Sequence, residues 1–358
     1  MRLQTMREDR GLFAALRGTR VLIYWPHGFG DWVTFGVVPP LLEPSNAYAI
    51  TRIGDDYVSL MEGNRFVEPL YGGVRAPSDA PSGGVAHLGL SLRACNGKTA
   101  NVTFPAPLDA AVARFAPRAL LWTDYPETEG RSPFPFHTKA RHLIGRLVSR
   151  ERLAAFDLAL PLPNGIDFSA SEPTQRRVDE RLAQFAQPGD RIAVVSRCGV
   201  TAARKNWGDG TQARAFAAAL RASSPRWRIV SMDDEDLGGG TAGFRALFGE
   251  IGEPFGRIYK AFSSRVALFA GVPAGPLHFT MARGGIPTVG LWIAHHPDWY
   301  DEPNPAAIHL VGRYVRERKF DRRPATTTKP PSLRHRLVYL ETDAIGADDV
   351  MEAVRAVT

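Results

Sequence analysis

The chain has 358 residues, 44% of them hydrophobic and 23% charged, with a formal net charge of +7 and a pI near 9.6. That balance excludes a disordered chain, and no apolar run approaches the roughly 20 residues of a membrane-spanning helix. Met1 to Arg10 is too charged for a signal peptide, and the two cysteines, Cys95 and Cys198, lack C-x-x-C spacing; a cytoplasmic protein without a disulfide framework or structural zinc is expected.

The first chemical element is Val21 to Phe35, V-L-I-Y-W-P-H-G-F-G-D-W-V-T-F. Val21 to Trp25 reads as a buried strand, and Gly28 and Gly30 as a turn with unusual backbone angles. Asp31 stands where a helix should begin, at the carboxyl end of the strand, where open α/β sheets bind ligands. A carboxylate there suits proton abstraction better than phosphate binding, so the motif departs from G-x-G-x-x-G in a chemically meaningful way. The competing role is a plain helix cap, for which Asp is favoured, and both readings stand at this point.

The pattern predicts strands at Tyr48 to Ile53 and Phe66 to Tyr71 around a short helix, Asp55 to Met61. Ala76 to Gly84 is a loop by its Pro, Ser and Gly content; Val85 to Leu92 is a strand candidate; Pro107 to Phe115 is a helix leading into a strand at Ala119 to Trp122. Thr138 to Val148 is amphipathic at helical spacing, with His137 just before it. The proline-interrupted Leu158 to Ile166 reads as a linker that halves the chain, giving domains over residues 1–165 and 166–342 and a closing helix within 343–358.

The second half restarts the rhythm with a helix opened by Ser171 and Pro173, and a buried strand at Arg191 to Ser196. Cys198 to Trp207, C-G-V-T-A-A-R-K-N-W, follows as a small-residue loop carrying Thr201, Arg204 and Lys205, with a helix starting near Gly210. Amides, a hydroxyl, cations and a helix start would converge there on one phosphate, although no Walker A pattern is present; a basic surface loop is the alternative. Arg228 to Met232 is the next strand. It ends in Asp233, Asp234, Glu235 and Asp236, either a ribose acceptor or a solvated turn. Val266 to Trp292 reads as strand, glycine turn at Gly275, helix with His278, and strand from Pro287. The basic stretch Arg313 to Arg336 reads as a solvated loop, because its prolines exclude a recognition helix and no aromatics interleave for base stacking. Asp348 to Val357 closes the chain as an amphipathic helix.

G-F-G-D near the start, T-x-x-x-K-x-W in the second half and G-P-x-H-x-x-x-A-x-G-G-x-P-T-V near the end together resemble glycosyltransferase family nine, the ADP-heptose heptosyltransferases of lipopolysaccharide synthesis. The resemblance implies an α/β protein of GT-B fold, two Rossmann-like domains with parallel sheets facing a cleft, acceptor on the first and nucleotide sugar on the second. It implies a metal-independent inverting transferase without cofactor, in which Asp31 is the catalytic base. Thr201, Arg204 and Lys205 would hold the donor diphosphate with Gly275, Pro276 and His278, while Glu235 contacts the nucleoside and Gly28 and Gly30 shape the turn beside the base. The expected partners are an ADP-linked sugar and a glycan, lipid-linked or small-molecule acceptor, with no nucleic acid; the positive charge also suits peripheral association with the inner face of an anionic membrane. One departure concerns specificity. The family keeps an Asp two residues before the glycine, where it binds heptose hydroxyls, and this chain has Pro273, which cannot accept those bonds. The rival classes are a non-catalytic nucleotide-sugar or nucleic-acid binding protein and a GT-B epimerase of UDP-sugars.

Overall fold

The computed structural model describes residues 17–25, 28–52, 54, 56–71, 86–90, 106–123, 148, 151, 164–199, 205–294, 297, 304–318 and 336–358. The helix expected at Thr138 to Val148, the loop at Ala76 to Gly84 and His137 therefore lie, wholly or nearly so, outside the described residues. The chain divides into two compact units, the first Met1–Asp167 with Pro254–Gly256 and the second Phe168–Glu253 with Arg257–Thr358.

In the first unit β1 (Arg20–Tyr24), β2 (Ala47–Thr51), β3 (Val67–Pro69), β4 (Ala86–Leu90) and β5 (Ala119–Thr123) form one parallel sheet in the order β3-β2-β1-β5-β4. Strand β1 is central because Val21, Leu22 and Ile23 are fully buried, which only an inner strand covered on both faces achieves. Pro69 falls at the end of edge strand β3, where a missing N–H breaks no ladder bond. Helix α1 (Phe29–Phe35) follows β1 and buries Trp32, Val33 and Phe35, and α2 (Ala106–Phe115) packs Ala111 and Phe115 on Leu22 and Ala49. Between β2 and β3 only a 3₁₀ turn, Val58–Met61, forms where a helix from Asp55 is expected. The end of α1 meets the chain again at Asn164, whose Nδ2 donates to Val33 O at 3.0 Å, and Gly36 has no room for a side chain because a Cβ there would lie 2.1 Å from Asn164 Oδ1.

In the second unit the helices are α3 (Glu172–Phe185), α4 (Thr211–Ser223), α5 (Phe244–Phe248), α6 (Phe255–Ser263, whose first two residues belong to the first unit), α7 (Gly275–Arg283), α8 (Arg313–Arg318) and α9 (Ala347–Val357). The strands are β6 (Arg191–Ser196), β7 (Trp227–Ser231), β8 (Thr241–Gly243), β9 (Val266–Gly271), β10 (Thr288–Trp292), β11 (Ala307–Val311) and β12 (Leu337–Tyr339), all parallel, in the order β12-β11-β10-β9-β6-β7-β8. Ser171 caps α3 by accepting the Thr174 N–H, as its sequence suggests. Helices α4 and α9 bury Phe216, Leu220, Val350, Met351 and Val354 in the main core cluster, each worth about 1.5–3 kcal/mol of hydrophobic stabilisation. Two expectations change. Arg313 to Arg318 is helical rather than loop, since Val315 is fully buried and draws the turn onto the core, while residues 319–335 lie outside the described set. Strands β8, β11 and β12 and helices α5 and α6 add to the elements read from sequence.

Candidate active site

In the second unit the strand order reverses at β6, between β6 and β9, whereas in the first unit the chain crosses from edge strand β3 to the opposite edge strand β4 and returns to β5 beside β1. Open parallel sheets bind ligands outside the carboxyl ends of their strands, at the reversal in the second unit and beside the central strand β1 in the first.

In the first unit that place holds Asp31. The helix begins at Phe29, two residues earlier than expected, because Gly28 in extended conformation (φ −73°, ψ 170°) is the N-cap. Asp31 is thus the third helical residue, and its Oδ2 accepts the Gly28 N–H at 3.3 Å while the residue is 5% exposed. It is not the N-cap. The glycine turn is corrected too, since Gly28 has ordinary angles and Gly30 lies inside the helix; neither is among the positive-φ glycines of the described residues. Asp31 thus faces its own helix start. On the same edge of the sheet Phe29, Tyr57 and Phe255 form a ring cluster with centroids 4.8–6.3 Å apart, and the Arg52 guanidinium lies 4.4 Å from the centre of the Tyr57 ring. Sequence reasoning passed over Arg52 and Tyr57, although both follow β2 at the ligand edge.

In the second unit the reversal brings together the loops after β6 and β9. Val272 N–H donates to Ser196 O at 2.9 Å, tying the two strand ends. The loop after β6 is closed on itself, with Gly199 N–H donating to Asn206 Oδ1 at 3.1 Å and Trp207 N–H to Arg197 O at 2.8 Å. Buried Trp207 donates its Nε1–H to Ile345 O at 2.7 Å, which fixes the loop's far end on the core. The Lys205 stem runs beside Gly199, where a methyl group would lie 3.5 Å from its Cδ. Thr201 and Arg204 lie outside the described residues. Helix α7 starts directly after this strand pair, with Ala274 as N-cap, Gly275 first and Pro276 second, and no acid in its first turn. Gly275 is therefore helical rather than a turn, because Pro276 fits the second helical position and the chain needs no left-handed residue to enter α7. His278 is buried within the same first turn and its N–H bonds to Ala274 O at 3.2 Å. Pro273 is buried just before it. The start of α4 behaves differently from the expectation, since Asp209 Oδ1 takes the Thr211 N–H at 2.9 Å and puts an acid on that pole. Of the two helices after these loops, α7 is the acid-free start.

Glu235 sits beside the loop as a bridge between two cations. Its Oε2 accepts from Arg197 Nε and its Oε1 from Arg214 Nη1 at 3.1 Å, and Gly210, with φ 96°, must be glycine both for that angle and because a Cβ would lie 2.2 Å from Oε1. A sugar diol approaching Glu235 would find a carboxylate already oriented. Asp233 Oδ2 accepts the N–H groups of Arg197 and Cys198 at 2.6 and 3.0 Å, so it holds the first residues of the loop. Burial pushes its carboxyl above the usual range against the pull of those two bonds, and burial with the nearby Asp233 charge pushes the Cys198 thiol up, which makes that cysteine a poor nucleophile. The acidic run after β7 signalled both residues, but not that Arg197 and Arg214 hold Glu235. Asp233→Ala should lower stability by about 1–2 kcal/mol in urea unfolding, because it orphans two loop donors in a place water partly reaches, whereas Asp233→Asn keeps an accepting oxygen and should cost less; equal losses would show that the charge, not the bonds, matters.

The sequence matches no protein-family model and no curated protein. Solved structures do match along nearly the whole chain. A glycosyl transferase family 9 protein from Veillonella parvula DSM 2008 aligns with a TM-score of 0.55 at 13% identity, covering 96% of this chain and 97% of that one. The E. coli ADP-heptose lps heptosyltransferase II aligns with a TM-score of 0.55 at 13% identity over 94% and 98% of the two chains. At that identity the likeness fixes the fold. The chain is an α/β protein with two parallel sheets and the GT-B fold class of these structures.

Proposed function

We propose that the protein is a glycosyltransferase that moves a sugar, with inversion, from a nucleoside-diphosphate sugar to an acceptor hydroxyl. The observation that carries the reading is Asp31, a buried carboxylate held in the first turn of α1 at the carboxyl end of the central strand β1. In this reading Asp31 takes the hydroxyl proton as the oxygen attacks the anomeric carbon, and the bond from that carbon to the diphosphate oxygen breaks. The departing charge is met by Lys205 and by the acid-free start of α7, both at the strand reversal of the second unit. Glu235, oriented by Arg197 and Arg214, serves the nucleoside. The cations of the chain itself neutralise the leaving group in this scheme, so it requires no metal. An ADP-linked donor is favoured because one fold relative acts as an ADP-heptose transferase.

The sugar is the part of the donor that is transferred. Buried Pro273 offers neither a carboxylate nor an N–H to sugar hydroxyls, so heptose would lose a charge-assisted contact and exclusive selection of it should be absent. A panel of ADP- and UDP-linked hexoses and heptoses, followed by release of the nucleoside diphosphate, tests both levels. Slow hydrolysis of several ADP-sugars is the expected result. Strong and exclusive turnover of ADP-heptose would refute the altered donor and leave the transferase, whereas tight binding of donors with no release from any would make the chain a binding protein.

A further inference from the structure

The sheet of the second unit has a second open end, at the amino-terminal ends of β9 and β10, and a cavity of about 680 Å³ lies there. That is the opposite end of the strands from Lys205 and the start of α7, and its volume falls within the roughly 300–1,000 Å³ of small-molecule sites. Phe168, Gln175, Lys260, Ser264, Arg283 and Gly284 are among its walls, and among the described residues no Asp or Glu lines it. Phe168 is fixed by an edge-to-face contact with Phe279, ring centroids 5.1 Å apart. Gly284 and Gly285, at φ 70° and 74°, carry the chain along another wall with positive angles, and a Cβ built on either would meet nothing within 4 Å.

Its charge is the informative feature. Lys260 is 3% exposed, in the last turn of α6, and Arg283 ends α7. Placement at helix carboxyl ends accounts for a cation near each, and Arg283 Nη1 does donate to Ser263 O at 2.9 Å. It does not account for the rest of the guanidinium, which has five N–H donors and, among the described residues, no carboxylate partner. The acid that Gln175 bonds, Asp179, is held instead by the fork of Arg265, with Nε and Nη2 at 2.7 and 2.6 Å from its two oxygens.

We propose that this cavity binds a small polar molecule through an oxyanion, a phosphate or a carboxylate, seated on the Arg283 fork with Lys260 in the same wall. A planar fork matches both groups with paired bonds, and the polar remainder of the walls, Gln175 and Ser264, suits hydroxyls rather than apolar groups. Burial lowers the pKa of Arg283, a cost to its charged form that a seated anion offsets. The site is independent of the transfer reaction and does not rest on that assignment.

The test uses the full chain with Lys205→Ala, so that the diphosphate loop is weakened as a competing anion site. Inorganic phosphate, pyrophosphate and citrate are titrated in by calorimetry, and saturable binding of at least one is expected, the preferred probe telling phosphate from carboxylate. Adding Arg283→Gln should weaken that binding about tenfold or more, the range for a lost charge-assisted bond. Ser264→Glu places a repelling carboxylate at an exposed position of the wall, keeps the core intact, and should weaken it similarly; it decides the matter alone should Arg283→Gln fail to fold. Absence of binding by all three probes, or binding indifferent to the Arg283 and Ser264 changes, overturns the proposal.

Discussion

Asp31→Asn is expected to lower the turnover number for sugar transfer by about 10²-fold or more while leaving donor affinity and thermal stability near those of the parent protein. A general base contributes about 10²–10⁴-fold, and an amide cannot take the proton. The structural job survives the change, because the asparagine oxygen can still accept the Gly28 N–H that Asp31 Oδ2 accepts at 3.3 Å. The two roles of the residue therefore separate in one variant. A residue that served only the helix start would show little loss of either rate or melting temperature, whereas a base loses rate with the melting temperature kept. Steady-state transfer with the best donor of the panel, set beside a thermal melt, reads both quantities. Near-parental turnover would reduce Asp31 to part of the helix start and remove the chief support for catalysis in the first unit.

How far the sequence foretells this arrangement depends on whether its signals are local. Arg191 to Ser196 is a strand with both bounds as expected, since Ile192 to Val195 are apolar throughout and Asp190 and Arg197 flank them. Strand β11 is harder to see, because His309 interrupts its apolar run; only the fold supplies the Trp292 Nε1–H that His309 Nδ1 accepts at 2.9 Å and so lets it be buried. Strand β12 has three residues at a sheet edge, too few for a period. Helix α6 was legible in principle, as Phe255, Ile258, Tyr259 and Phe262 repeat at helical spacing. In the site, the same division holds. Asp31 and Lys205 stand out by their loops, whereas the hold of Arg197 on Glu235 spans 38 residues and exists only because β6 and β7 are neighbours.

Lys205→Ala should weaken binding of the nucleoside diphosphate by about 1.5–3 kcal/mol, roughly 10- to 150-fold in dissociation constant, the range for a hydrogen bond to a charged group. The effect should stay at that size because the loop around it keeps its shape without the ammonium. Gly199 and Trp207 close the loop through Asn206 and the Arg197 carbonyl, and the Trp207 indole bond to Ile345 O is buried, so none of these contacts uses the lysine head group. Truncation leaves the backbone in place and removes one cation from the anion's surroundings, with the start of α7 still present to hold weakened binding. Two further readings follow from the same charge argument. The loss should shrink as salt rises, since an exposed part of the interaction is screened within about 8–10 Å at physiological ionic strength, and the free nucleoside should bind both proteins alike because it carries no phosphate. Calorimetry with nucleoside, monophosphate and diphosphate at two salt concentrations measures all of this. Equal diphosphate affinity in the two proteins would place the phosphate site away from the loop after β6, and a matching loss for the nucleoside would mean that Lys205 supports the fold of the loop rather than the charge of the ligand.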